Sequence, residues 1–176
     1  MPHDRPHGAS PARPRSATLL LAFALLGVVA IAPTASQAQT PAPDDVSSID
    51  GILQAYYEVV SGPAGEVPDA ERDRTLHHPD AWVAIAGTNS DGDPTVRVMS
   101  LDDYHGGNQP RSQGFWEWET DRVVSRSGNM AHVWSSYASA RTEGGEPFAE
   151  GVNSITLFFD GTRWWIMGWM FDSSAG

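Results

Sequence analysis

The segment from Gly114 to Asp172 constrains this chain most. It holds six of the seven tryptophans and reads as four strands. The predicted turns are Gly128-Asn129, Glu143-Gly144-Gly145-Glu146-Pro147 and Asp160-Gly161. The last strand, Arg163 to Phe171, is apolar on both faces. Such a strand has to be covered from two sides, so the sheet needs helices on one face and a further partner on the other.

Short turns fix register, and register assigns faces. Across Gly128-Asn129, Val124 is expected to pair with Val133, Arg122 with Ser135 and Thr120 with Tyr137. That puts Trp116, Trp118 and Arg122 on one face with Ser135 and Tyr137. It puts Glu117, Glu119 and Asp121 on the other, with His132 and Trp134. Across Asp160-Gly161, Leu157 is expected to pair with Trp164, Ile155 with Ile166 and Asn153 with Gly168. Trp165, Met167, Trp169 and Phe171 then share the opposite face. A bulge in a long strand would exchange the faces beyond it.

Ahead of the meander the chain reads as two helices, a hairpin and a short helix. Val46, Ile49, Ile52, Leu53, Tyr56 and Val60 form one apolar stripe at helical spacing, ended by Gly62-Pro63. Asp69 opens a second helix that Pro79 stops. Ala81 to Ala86 and Thr95 to Met99 are predicted strands around Asn89-Ser90-Asp91-Gly92. Ser100 and Asp103 have capping-box spacing before a helix that Gly106-Gly107 ends. Helices segregated from a mostly antiparallel sheet make an α+β pattern.

The N-terminus has the order of a secretory signal peptide. Arg5, Arg13 and Arg15 precede the apolar run Ala17 to Ala32, and Ala35-Ser36-Gln37-Ala38 follows. The run has about 16 residues, short of the roughly 20 that a spanning helix needs. The expectation is export, periplasmic or secreted, with cleavage near Ala38 and no membrane association afterwards. Mass spectrometry of the exported protein should then find Gln39 at the N-terminus, whereas retention of Pro2 would refute cleavage. Gln39 to Asp45 reads as a disordered lead-in, and Val46 to Ser173 as a single domain.

The chain has no cysteine, which excludes disulfides, thiolate metal sites and a cysteine nucleophile. All its basic residues are arginine, and its formal charge is −11. After cleavage eight arginines face 21 acidic residues. That balance argues against nucleic acid and anionic lipid as partners.

The layout resembles the nuclear transport factor 2-like superfamily, which includes ketosteroid isomerases and SnoaL-like polyketide cyclases. The resemblance rests on Tyr56-Tyr57 in the first helix and Leu76-His77-His78-Pro79-Asp80-Ala81-Trp82 entering the first strand. It rests also on Met99 to Tyr104, Met130 to Tyr137 and Asp160 to Ile166. It implies a cone: a curved antiparallel sheet wrapped around the N-terminal helices, with a pocket between them. In the family the convex face often forms a dimer, so the resemblance implies a homodimer through the sheet face. Isomerase-like members of the family use a pocket carboxylate as base and a Tyr or acid as oxyanion donor.

The candidate pocket residues are Tyr57, Trp82, Trp118, Arg122, Ser135, Tyr137 and Asn153. A few polar groups among apolar neighbours is the pattern of a small-ligand site. Glu117, Glu119, His132 and Tyr137 are the catalytic candidates, although the expected register sets the acids opposite Tyr137. His77, His78 and Asp80 lack an evident third ligand, so no metal and no cofactor is expected. His105 reads as a helix C-terminal residue. Three functions remain open at this point. One is binding of a small apolar or aromatic molecule in the cone, and another is an isomerase, cyclase or dehydratase. The third is a homodimeric interaction module.

Overall fold

A computed structural model describes residues 39–106 and 108–172. The expected signal peptide lies outside the described residues. The elements are α1 (Pro43–Val46), α2 (Ile49–Val60), α3 (Ala70–Leu76), β1 (His77–Thr88), β2 (Pro94–Ser100), α4 (Leu101–His105), β3 (Trp116–Ser127), β4 (Met130–Ala140), β5 (Pro147–Phe159) and β6 (Trp164–Asp172). This is the α+β cone architecture, with the helices on one face of a curved six-stranded sheet ordered β2-β1-β6-β5-β4-β3. The sheet is mixed rather than wholly antiparallel, because β6 inserts between β5 and β1 and runs parallel to β1.

The apolar stripe of the first helix is split. Ser48 interrupts it by capping α2, its hydroxyl accepting from Gly51 N–H at 2.9 Å. Pro43 to Asp45 are helical, not a disordered lead-in. Arg72 ties Asp45 down through two hydrogen bonds of 2.9 and 3.0 Å, and Val46 is buried. Asp69 caps α3 and Ser100 caps α4, as their sequence positions predict.

The core lies between α2 and the concave sheet face. Ile52, Leu53, Tyr56 and Val59 meet Val83, Val133, Ile155, Leu157, Ile166 and Trp169. Each fully buried aliphatic side chain contributes roughly 1.5–3 kcal/mol.

Two bulges redraw the faces read from sequence. Around Gly128 the expected pairs Val124–Val133 and Arg122–Ser135 form. The register then shifts between Glu119 and Asp121, leaving Thr120 without a partner, so Glu119 pairs with Tyr137 and Glu117 with Ser139. Glu117 and Glu119 therefore join the concave face, and Trp116 and Trp118 leave it. The same bulge explains an ion pair that a regular strand forbids. Residues three apart point to opposite faces of a flat strand, yet Glu119 and Arg122 meet at 2.5 Å.

The β5–β6 connection is also longer than two residues. Asp160 accepts hydrogen bonds from the backbone N–H groups of Thr162 and Arg163, so Phe159 pairs with Trp164 and Leu157 with Ile166. A second shift at Met167 then pairs Ile155 with Trp169 and Asn153 with Phe171. Trp169 and Phe171 thus face the core, and Gly168 and Met170 face outward.

Candidate functional site

Glu117 is the centre of the site. Its backbone N–H donates to Ser61 Oγ at 3.0 Å, and Ser61 Oγ donates to Tyr57 O at 2.7 Å. The strand is thereby pinned to the end of α2 at this residue. Arg111 closes that helix end by donating to the carbonyls of Val59, Val60 and Ser61. The Glu117 carboxylate accepts from Ser139 Oγ at 3.0 Å. Burial pushes its pKa from the ordinary 4.5 to about 7, against the opposing pull of the Ser139 and Asn153 hydrogen bonds.

Two hollows meet at Glu117. An inner cavity of about 260 Å³ lies in the cone, walled by Tyr56, Tyr104, Phe115, Tyr137, Phe148 and Phe171. A groove of about 640 Å³ runs between α2 and β3, past Tyr57, Trp116, Trp118, Glu119 and Arg122. The tyrosines of the inner wall stay protonated at neutral pH. Burial pushes Tyr104 to about 12 and Tyr56 well above its ordinary value. Tyr137 is raised by burial and then by Glu117. Tyr137 lies across Gly151, where an added Cβ would sit 2.6 Å from its hydroxyl. Only a residue without a side chain leaves the ring that path.

A polar chain links the hollows behind their walls. Tyr57 OH and Ser135 Oγ are 2.7 Å apart, and Asn153 Nδ2 donates to Tyr57 OH at 3.3 Å. Ser135 Oγ also donates to Glu119. Glu119 pairs with Arg122, and Arg122 with Asp50 at 2.6 Å. Ser135 and Asn153 are almost wholly buried, and these mutual bonds satisfy them. Burial pushes Tyr57 to about 12, so it keeps its proton.

Of the seven residues expected to line a pocket, Tyr57, Trp118 and Arg122 border the groove, and Tyr137 and Asn153 the inner cavity. Ser135 sits behind them, bonded to Tyr57. Trp82 is elsewhere: it is 40% exposed on the outer sheet face, with its ring over Gly168. Among the catalytic candidates, Glu117, Glu119 and Tyr137 share the concave face. His132 lies across the sheet from them, exposed, 2.9 Å from Ser154 Oγ. The expected separation of the acids from Tyr137 is overturned by the bulge at Thr120.

Sequence reading passed over Tyr104, Phe115, Ser139, Phe148 and Phe171. The four-residue polar run Glu119-Thr120-Asp121-Arg122, which breaks the alternation of β3, was the available signal for the bulge. His105 is not simply a helix-end residue, because its Nε2 reaches Asp73 Oδ2 at 2.9 Å. Among the described residues no group of three or more His, Asp or Glu is placed to hold a metal ion.

No protein-family model matches the sequence, and no curated protein matches it. Solved structures do match. The "beta subunit of a putative aromatic-ring-hydroxylating dioxygenase" from Novosphingobium aromaticivorans is 16% identical, with a TM-score of 0.53 over 72% of this chain and 88% of that one. An NTF2-like protein of unknown function from Shewanella baltica is 13% identical, with a TM-score of 0.44 over 70% and 88%. An NTF2-like protein from Cytophaga hutchinsonii is 12% identical, with a TM-score of 0.46 over 71% and 89%. The fold is NTF2-like. At these identities the likeness covers the backbone, and the NTF2-like fold serves many chemistries. The function has to be argued from Glu117 and its surroundings.

Proposed function

We propose that this NTF2-like domain binds a small apolar or aromatic molecule in its cone, with the Glu117 carboxyl as the polar contact. The observation that carries this reading is a largely buried carboxyl lining an aromatic cavity, where burial pushes its pKa up to about 7. A few polar groups in an apolar hollow fix a ligand's orientation while its body supplies the burial. The volume of about 260 Å³ suits a molecule of one or two rings. Acetophenone and naphthalene serve as probes in a thermal-shift series. At 100 times its Kd a ligand raises stability by about 2.7 kcal/mol, a clear rise in melting temperature. No rise with either probe up to its solubility limit would refute the reading.

A second reading is favoured by the tyrosines on the same wall. Glu117 near pH 7 is populated in both protonation states, and Tyr104 and Tyr137 remain donors. That arrangement supports proton transfer at carbon next to a carbonyl. The C–H bond breaks, its proton goes to the Glu117 carboxylate, and the electron pair moves to the carbonyl oxygen, where a tyrosine O–H stabilises it. Return of the proton to the same carbon gives hydrogen exchange, and its delivery to another carbon completes an isomerisation, in both cases with no redox change. The expected signature is accelerated exchange of the acetophenone methyl hydrogens in D2O, rising with pH through about 7. Glu117→Gln should slow it by about 100-fold or more. An unchanged exchange rate in that variant would remove Glu117 as the base.

The outer sheet face supports a homodimer as a further part of the proposal. Trp82, Val98, Val123 and Trp134 are exposed there, apolar side chains that a second copy of the chain would cover. Sedimentation equilibrium of the exported protein, periplasmic or secreted, should give twice the chain mass, and Trp134→Glu should halve it. A wild-type monomer at high concentration would refute the dimer.

A further inference from the structure

The groove of about 640 Å³ between α2 and β3 lies outside the cone and shares only Glu117 with its lining. Tyr57, Trp116 and Trp118 give it aromatic surface, and Glu58, Glu119 and Glu143 join Glu117 as its carboxyls. A ligand can reach these groups. Both tryptophans and Glu119 are partly exposed, and Glu58 and Glu143 are exposed. The strand β3 is a sheet edge, where an extended peptide might be expected to add. That edge is already occupied beside the groove. Glu117 N–H is bonded to Ser61 Oγ, and Phe115 pairs with Gly62. The groove is therefore shaped for a small molecule lying on side chains.

The charges around the groove do not cancel. Arg72 is shared between Asp45 and Glu58, and Arg122 between Glu119 and Asp50. Each guanidinium thus faces two carboxylates. Glu143, at the turn after β4, adds a further acid with no ion pair among the described residues. A surplus of negative charge beside indole rings suits one class of ligand, because indole is the best side-chain partner for a cation. We propose that this groove binds an organic cation of the alkylated-ammonium type. The carboxylates meet its charge, and the aromatic rings meet its methyl groups. An anion is opposed by the same carboxylates, and a neutral apolar molecule leaves the surplus unanswered. A bare metal ion makes no use of the indoles. The formal charge of −11 on the whole chain further favours the approach of a cation.

The test uses the mature chain labelled with 5-fluorotryptophan, its Trp116 and Trp118 resonances assigned through Trp116→Phe and Trp118→Phe. Choline, its neutral isostere 3,3-dimethylbutan-1-ol, and cellobiose are titrated in turn by 19F NMR. Choline should shift both resonances saturably, at least about tenfold more tightly than the neutral alcohol, since the two differ in charge and hardly in shape. Salt should weaken choline and leave the alcohol unaffected. Trp118→Leu should weaken choline about tenfold. Glu143→Gln should weaken it as well, and Phe148→Ala, which alters the cone wall alone, should leave it unchanged. No saturable choline shift overturns the proposal. Equal binding of the alcohol, or choline binding lost in Phe148→Ala and kept in Trp118→Leu, also overturns it. Cellobiose binding without choline binding would assign the groove to a saccharide instead. Trp116, Trp118 and Glu143 border the groove and not the cone, so a failure with choline leaves the acetophenone series to be judged by itself. The wild-type titrations decide the matter even if a variant fails to fold.

Discussion

Replacing Glu117 by Gln is expected to remove a pH-dependent loss of stability of up to about 3 kcal/mol. The carboxyl titrates near 7 in the folded chain against an ordinary 4.5. At about 1.4 kcal/mol per pH unit, that interval is worth about 3 kcal/mol. The folded state holds the extra proton between those two values, so its stability falls as pH rises through them. Below about 4.5 the group is protonated in both states and has no effect. Urea unfolding at pH 5 and pH 8 measures the difference between wild type and Glu117→Gln. The variant should gain on the wild type by up to about 3 kcal/mol between the two conditions. A constant difference would mean that Glu117 titrates as an exposed acid.

Trp169→Ala should cost about 3–5 kcal/mol, the range for truncating a buried large aromatic side chain. Its ring sits 4.9 Å from His77, 5.2 Å from Tyr104 and 5.7 Å from Tyr56. Those three come from β1, α4 and α2, so the loss is felt across the core. Trp134→Ala is the matched control. Trp134 is half exposed on the outer face, and truncation there should cost less than about 1 kcal/mol in the monomer. Chemical denaturation of both variants compares the register with its bulge at Met167 against a bulge-free strand. The bulge-free strand would put both tryptophans outside. Equal, small losses would contradict the placement of Trp169.

The turns and helix ends of this chain were readable because their signals are local. Ser100 and Asp69 cap where their spacing says, and Gly128-Asn129 fixes the first pairs of its hairpin. The cone layout followed from the order of elements and from the two-sided hydrophobicity of the last strand. The site was only half readable. Ser135, Tyr137 and Asn153 converge because β4 and β5 obey simple alternation there, and Tyr57 meets them from the buried face of α2. Glu117 and Glu119 were assigned to the wrong face because a bulge at Thr120 changes parity, and parity is all that a sequence pattern carries. Trp82 was misplaced for another reason. Aromatic character suits a pocket wall and an outer face equally, and only its pairing opposite Gly168 decides between them. The Asp73–His105 contact joins residues from α3 and α4, and no local pattern announces it.

The same bulge reverses the chemical conclusion drawn from the bulge-free register. With the acids on the outer face, the cone would hold tyrosines and no base. With Glu117 inside, the cone holds a carboxyl beside its tyrosines, which is the arrangement the proposed proton transfer requires.

The most direct test of that conclusion is a 13C NMR titration of glutamate side-chain carboxyls in the mature chain, with the Glu117 signal assigned by its loss in Glu117→Gln. A midpoint near 7 would establish Glu117 as a buried acid-base group of the cone. A midpoint near 4.5, the ordinary value, would place it in solvent and contradict the site.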